Sequence, residues 1–255
     1  MLRLTLSALG LFAAQAAAQC SREFLVEATN TLLAAQTAGS PDGIASLADN
    51  LVYLESFKTA DIKTGILSHP LKIDFNRSLH DTTACATYTE IIVTDPSHPY
   101  VLGTQIRFAD GKIANISTLV TDRGDWLFNA TGTYYWASRE NWDVIPEDQR
   151  DSREVIKAAA DAYADIFNDK TVVVPWGTPC ARLEGGAYTG SGSATDRCDV
   201  GIPTGVRLVN RRYVIDETIG AVDVFIDFAT VPDSHEFRVE KGKIRYVHTL
   251  TVMGN

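Results

Sequence analysis

Two stretches of the chain repeat apolar residues at helical spacing: Phe24, Ala28, Leu32 and Ala35 in the first, Val155, Ala159, Tyr163 and Ile166 in the second. Each is the stripe of an amphipathic helix that must pack on something. Asp151 followed by Glu154 reads as a capping box at the start of the second helix. Downstream the period changes to two. Val222, Val224, Ile226 and Phe228 alternate with Asp223, Phe225 and Asp227, which predicts a half-buried antiparallel strand. Ile106 and Phe108 lead into Asp110-Gly111, and Phe237 and Val239 into Lys241-Gly242, dipeptides suited to tight hairpin turns with positive φ. A helix followed by antiparallel strands is an α+β unit, in which the helix covers the concave apolar face of a curved sheet.

The unit occurs twice. Ser21-Arg22-Glu23 is echoed by Ser152-Arg153-Glu154, and the same shift carries Arg107 to Arg238, Gly111-Lys112-Ile113 to Gly242-Lys243-Ile244 and Thr118-Leu119 to Thr249-Leu250. With a few extra residues in between, Leu71-Lys72-Ile73 aligns with Val206-Arg207-Leu208, and Asp81 falls on Asp216. The expected organisation is a first domain over 19–142, a polar linker over 143–150 marked by Pro146, and a second domain over 151–255.

Residues 1–18 have a different character. Arg3, an apolar stretch from Leu4 through Phe12 and the closing Ala16-Ala17-Ala18 form the pattern of a secretory signal peptide; the stretch is too short and too interrupted by Ser7 and Gln15 to span a bilayer. Export fits the four cysteines, Cys20, Cys85, Cys180 and Cys198, an even set that reads as disulfides, with no close pairs of the kind zinc needs. The repeat favours Cys20 with Cys85 and Cys180 with Cys198. Asn76, Asn115 and Asn129 open glycosylation sequons. The expected location is outside the cell or in the secretory-pathway lumen.

Charge narrows the partners. The 255 residues carry 23 Lys and Arg against 32 Asp and Glu, a net charge of −9, with no basic run. This excludes nucleic acid and an anionic membrane as expected partners.

The opening helix, the Leu51-Val52-Tyr53-Leu54-Glu55 strand after it and the terminal Arg238-to-Thr251 hairpin resemble the SnoaL-like and ketosteroid-isomerase-like superfamily, whose fold is the α+β cone of nuclear transport factor two. The tandem arrangement and phrases such as Asn210-Arg211-Arg212-Tyr213-Val214-Ile215-Asp216-Glu217 resemble a group of secreted fungal proteins. The resemblance implies two tandem cone-shaped domains and a pocket between helix and sheet. It also implies cofactor-independent isomerase, cyclase or dehydratase chemistry on a small apolar molecule of fungal specialised metabolism, or, alternatively, a non-catalytic binding or interaction protein. A homodimer is compatible with it. Fold alone does not choose between these.

The candidate chemistry centres on the second hairpin. With Lys241 and Gly242 as turn residues, Val239 faces Ile244, Phe237 faces Tyr246 and His235 faces His248. Opposed side chains lie about 5 Å apart, so the two imidazoles would share a pocket wall as proton shuttles. Thr104 and Ser117 stand at these positions in the first copy, so the second copy is the expected active one. Asn115, at the position of Tyr246, would have to face solvent to carry a glycan. Asp216 is the candidate carboxylate base, and Tyr246 completes the catalytic set. Arg182, Glu184, Tyr213 and Phe237 are the candidate substrate contacts, with Arg182 and Glu184 a polar clamp or a simple ion pair. His80-Asp81 and Tyr88 with Glu90 are weaker candidates. No cofactor motif and no metal set is present; Gly185-Gly186 and Gly190-Ser191-Gly192-Ser193 read as flexible loop. The aromatic cluster Trp126, Tyr134, Tyr135, Trp136 and Trp142 is expected to pack between the two copies.

Overall fold

The computed structural model describes residues 20–44 and 46–254; the expected signal peptide lies outside the described residues. Helix α1 (Arg22–Ala38) begins where the Ser21 hydroxyl accepts a hydrogen bond from Phe24 N, and ends at Gly39, whose φ of 64° lets its N–H turn back to Ala35 and Gln36. Strands β1 (Leu47–Glu55), β2 (Lys58–Thr59), β3 (Phe75–Asp81), β4 (Ala86–Val93), β5 (Tyr100–Ala109) and β6 (Lys112–Thr121) follow in one sheet. Its order is β2-β1-β6-β5-β4-β3. Only the β1–β6 pairing in it is parallel.

After helix α2 (Ala130–Ala137) the pattern repeats with α3 (Arg153–Ile166), β7 (Trp176–Glu184), β8 (Ala187–Tyr188), β9 (Leu208–Asp216), β10 (Ala221–Phe228), β11 (Val231–Glu240) and β12 (Lys243–Thr251), in the order β8-β7-β12-β11-β10-β9. The expected pair of α+β units is therefore the fold. Helix α3 is capped by Ser152, whose hydroxyl accepts from Val155 N. Asp151 accepts from Gly242 N instead, tying the helix start to the terminal hairpin, and because the N-cap is Ser152 with Val155 at the third helical position the expected Asp151–Glu154 capping box does not form.

Both hairpins turn where expected, on Asp110-Gly111 and Lys241-Gly242 with positive φ, but the register beyond the second differs from expectation. Val239 pairs with Ile244, and then Arg238 pairs with Tyr246, leaving Arg245 as an extra residue. This β-bulge rotates the rest of β12 by one position. His235 lies opposite Thr249, and His248 opposite Glu236. The first hairpin carries the same bulge, between Arg107–Asn115 and Phe108–Ile113.

Strand β10 is not half-buried. Its Val222, Val224 and Ile226 pack under α3 in the core of the second unit, while Asp223 and Phe225, also buried, face the other sheet. Because the two sheets pack face to face, both faces of the central strands lose water. At the contact the backbones come close: a Cβ on Gly103 would stand 2.9 Å from Leu250 Cδ1.

The packing has a pseudo-two-fold axis marked by repeat-equivalent residues. Arg22 Nη1 of the first unit bonds Asp216 of the second at 2.7 Å, and Arg153 Nη1 of the second bonds Asp81 of the first at 2.7 Å. Asp216 also accepts from His80 N, and Asp81 from Ile215 N. The interface is thus isologous in kind, as in a symmetric dimer, but made within one chain.

The disulfides pair Cys20 with Cys85 and Cys180 with Cys198, a chemistry of oxidising compartments. Among the described residues no helix is long and apolar enough to cross a membrane. Asn76 and Asn129 are exposed and Asn115 is partly so.

Candidate functional site

The two cones differ in what fills them. In the first, the segment between β2 and β3 makes a 3-10 turn at Ile66–Ser68 whose Ile66 and Leu67 are buried. Gln36 of α1 donates to the carbonyls of Ile66 and His69. Glu55 of β1 accepts both the Tyr53 hydroxyl at 2.6 Å and Ile66 N at 2.5 Å. The first cone is plugged by its own chain.

In the second, the matching segment between β8 and β9 stays outside. Cys198 is bonded to Cys180 of β7, Asp196 gathers the N–H groups of Ser191, Gly192 and Ser193, and Arg182 Nη2 donates to Val200 O. A cavity of about 320 Å³ remains between α3 and the sheet, within the range of small-molecule sites. Its floor is buried: Tyr163 and Phe167 from α3, Arg182 from β7, His235 from β11 and Thr249 from β12. Its mouth is formed by exposed residues, among them Trp126, Gly201, Pro203, Ala229 and Met253.

Two acid–base pairs meet this cavity. His235 Nδ1 lies 2.9 Å from Asp233 Oδ2, two residues back on the same face of β11, and both are buried. The two atoms are close but make no hydrogen bond, Nε2 has no hydrogen-bond partner among the described residues, and the ring sits among those of Tyr163, Phe167 and Phe237. Arg182 Nε lies 3.1 Å from Glu184 Oε1. Burial drives the Tyr163 phenol well above its usual pKa, so it is a neutral hydroxyl beside the Arg182 guanidinium.

The other expected site residues lie elsewhere. His248 is on the opposite face of the sheet, in the interface between the two units, as the bulge requires. Its Nδ1 is 3.0 Å from Glu90 and its Nε2 2.6 Å from Glu140. Burial works against its charge, but the Glu140 and Glu90 carboxylates prevail and push its pKa up to about 10. Glu90 is buried too, yet Arg77 and His248 hold it down at about 2. Glu236 moves upward, from burial and the neighbouring Glu90.

Glu90, Glu236 and His248 are the one set of potential metal ligands converging within 4.8 Å among the described residues. Arg77 Nη2 already lies 2.8 Å from Glu90, 2.6 Å from Glu236 and 2.9 Å from His248. A guanidinium occupies the place a metal cation would take.

Asp216 is locked in the ion pair with Arg22; burial opposes its charge, and bonds from His80 and Arg22 bring it down to about 2, too acidic to serve as a base near neutral pH. Tyr246 turns to the interface with Arg238 and stacks on Trp142 at 5.8 Å. Tyr213 bonds Asp161 of α3 on the outside of the unit. Phe237 is core, under His235 and Tyr163. His80, Asp81, Tyr88 and Glu90 all belong to the interface.

Three of the five clustered aromatics reach the second unit: Trp136 stacks on Tyr188 at 4.0 Å, Trp142 stacks on Tyr246, and Trp126 reaches the cavity mouth, whereas Tyr134 and Tyr135 are exposed. Asp233 and Thr249 were missed by the sequence reading. The alternation of Asp233 with His235 on one strand was the available signal for the first.

Residues 149–251 match the family described as Domain of unknown function (DUF8021). No curated protein matches the chain. Among solved structures the chain is similar to an NTF-2-like protein of unknown function from Burkholderia xenovorans LB400, with 19% identity and a TM-score of 0.32 over 47% of this chain and 98% of that one. It is also similar to AclR, a putative hydroxylase from Streptomyces galilaeus, with 13% identity and a TM-score of 0.29 over 40% of this chain and 92% of that one.

Proposed function

We propose that the second domain encloses a small, largely apolar molecule and moves a proton within it, as a cofactor-independent isomerase, cyclase or dehydratase of fungal specialised metabolism working in the secretory-pathway lumen or outside the cell. The observation that carries this reading is the His235–Asp233 pair at the buried floor of an apolar cavity of about 320 Å³. Asp233 lies beside Nδ1, which leaves Nε2 as the ring nitrogen that can take a proton from a bound molecule and return it. The apolar walls favour the neutral reactant and strengthen every polar contact made at the floor.

The test begins with native mass spectrometry of the secreted protein, searching for a retained molecule that names the assay. His235→Ala and Asp233→Asn are then expected to lower turnover by about 10²-fold or more, while His248→Gln, outside the cavity, leaves turnover per folded molecule unchanged. Full turnover in His235→Ala sinks the catalytic reading. A second reading, a non-catalytic binding or interaction protein, is favoured by the first cone, which keeps the fold with its interior filled by Ile66 and Leu67. Retention of a molecule without turnover selects it.

A further inference from the structure

The mouth of the cavity is not built by the second domain alone. Trp126 belongs to the segment between β6 and α2 of the first domain, and it lines the cavity while half its surface is exposed. That segment is tied across the domain boundary at three points. Asn129 N donates to Gly185 O at 2.5 Å, Met253 N donates to Asp125 Oδ1 at 2.7 Å, and the turn joining β7 to β8 lies against the segment backbone with no room to spare. A Cβ on Gly185 would fall on the Trp126 carbonyl oxygen, and one on Gly186 would stand 2.5 Å from Asn129 O. Both glycines have positive φ, 57° and 123°. The pair read in the sequence as flexible loop is a backbone-to-backbone docking point.

We infer that the ligand site belongs to the pair of domains, with the first domain's 122–129 segment as its outer wall and Trp126 as the residue that sets the size and apolar character of the molecule admitted. This rests on the ligand-pocket reading above. The ligand it fits is an amphiphile: a polar head at His235 and Arg182 on the floor, and an apolar body reaching Phe228, Trp126 and Met253 towards the mouth. Division of labour between the units follows. The first cone is plugged and its domain serves as wall, so losing the first domain removes part of the site and not only stability.

The experiment is a fluorescence titration of the full chain with 1-anilinonaphthalene-8-sulfonate, an amphiphile of this kind, using Val231→Trp to fill the cavity, Trp126→Ala and Trp126→Phe to change the wall, and Gly185→Ala to push the wall away without altering a lining side chain. Thermal melts confirm that each variant is folded. Expected are saturable binding to the wild type, loss in Val231→Trp, about tenfold weaker binding in Trp126→Ala and Gly185→Ala, and near-normal binding in Trp126→Phe. If Val231→Trp abolishes binding while Trp126→Ala and Gly185→Ala leave it unchanged, the wall proposal is overturned and the pocket stands. If the wild type does not bind, or Val231→Trp binds as well as it does, the pocket reading falls and takes the proposal with it.

Discussion

Among single side chains, His248 has the most to lose from a change of pH. It is buried with Glu140, Glu90 and Arg77, and its pKa stands at about 10 against 6.5 for a free imidazole. A histidine whose folded value is raised adds stability fully below its unfolded value and loses it as pH climbs through the folded one. Its contribution is therefore complete at pH 6 and declines between about pH 6.5 and 10. Replacing one member of a buried charged group leaves its partners uncompensated, at a cost of about 3 kcal/mol. Denaturant unfolding of His248→Gln is expected to show that deficit at pH 6 and a narrower gap from wild type at pH 10; an equal gap at both values means the imidazole is not charged in the fold. On the acid side Glu90 and Asp216, both held at about 2, contribute above pH 4 to 5 and lose that contribution towards pH 2. The sequence marks His235 and His248 as polar residues of one hairpin, but it does not mark Arg245 as the bulge that sends them to opposite faces. One extra residue decides side-chain direction for a whole strand, and its cause is the local twist of two paired strands, which no single residue type announces.

Whole elements explain why one cone is open and the other filled. Gln36 and Glu55 draw the Ile66 turn into the first cone; in the second the equivalent helix position is Phe167 and the equivalent strand position is Glu184, paired with Arg182, so nothing there grips an entering turn. The Cys180–Cys198 bond, spanning 18 residues, holds the outer segment away. Replacing both cysteines by serine is expected to cost about 3 kcal/mol through the freed unfolded chain and to speed amide exchange across 189–207. Unchanged exchange there would mean that the Asp196 turn and the Arg182 bond to Val200 hold the segment without the disulfide. The helices, the hairpin turns and the repeat itself were readable because they rest on local signals: apolar spacing, Asp-Gly and Lys-Gly. The plug was not, because the segments between β2 and β3 and between β8 and β9 are where the two copies cease to align, and their burial depends on what the rest of the cone offers them.

At the scale of the molecule, the residues that reveal the repeat are also those that join its halves. Arg22 and Arg153, and Asp81 and Asp216, appear in the sequence as equivalent pairs; in the structure each arginine bonds the other unit's aspartate. Such reciprocity alone would allow either half to pair with a second copy of itself. The charges inside the contact do not. Glu90 and Arg77 of the first unit meet His248 and Glu236 of the second, and in a pair of first units Ser117 and Gln105 would stand at those two positions, leaving Glu90 without the imidazole and Arg77 short of one carboxylate. Asp223 of the second unit accepts from Gln105 of the first at 2.6 Å, and in a pair of second units Glu236 would take the Gln105 position, setting carboxyl against carboxyl twice. Uncompensated buried charge costs several kcal/mol and acts as discrimination against the wrong partner. Residues 20–142 and 151–255 produced as separate chains are therefore expected to assemble one to one, and the intact chain, whose pairing faces are already used, to run as a monomer. Light scattering after size exclusion checks both. Stable self-pairs from either half would show that apolar contacts such as Tyr88 with Phe225, rather than the charges, choose the partner.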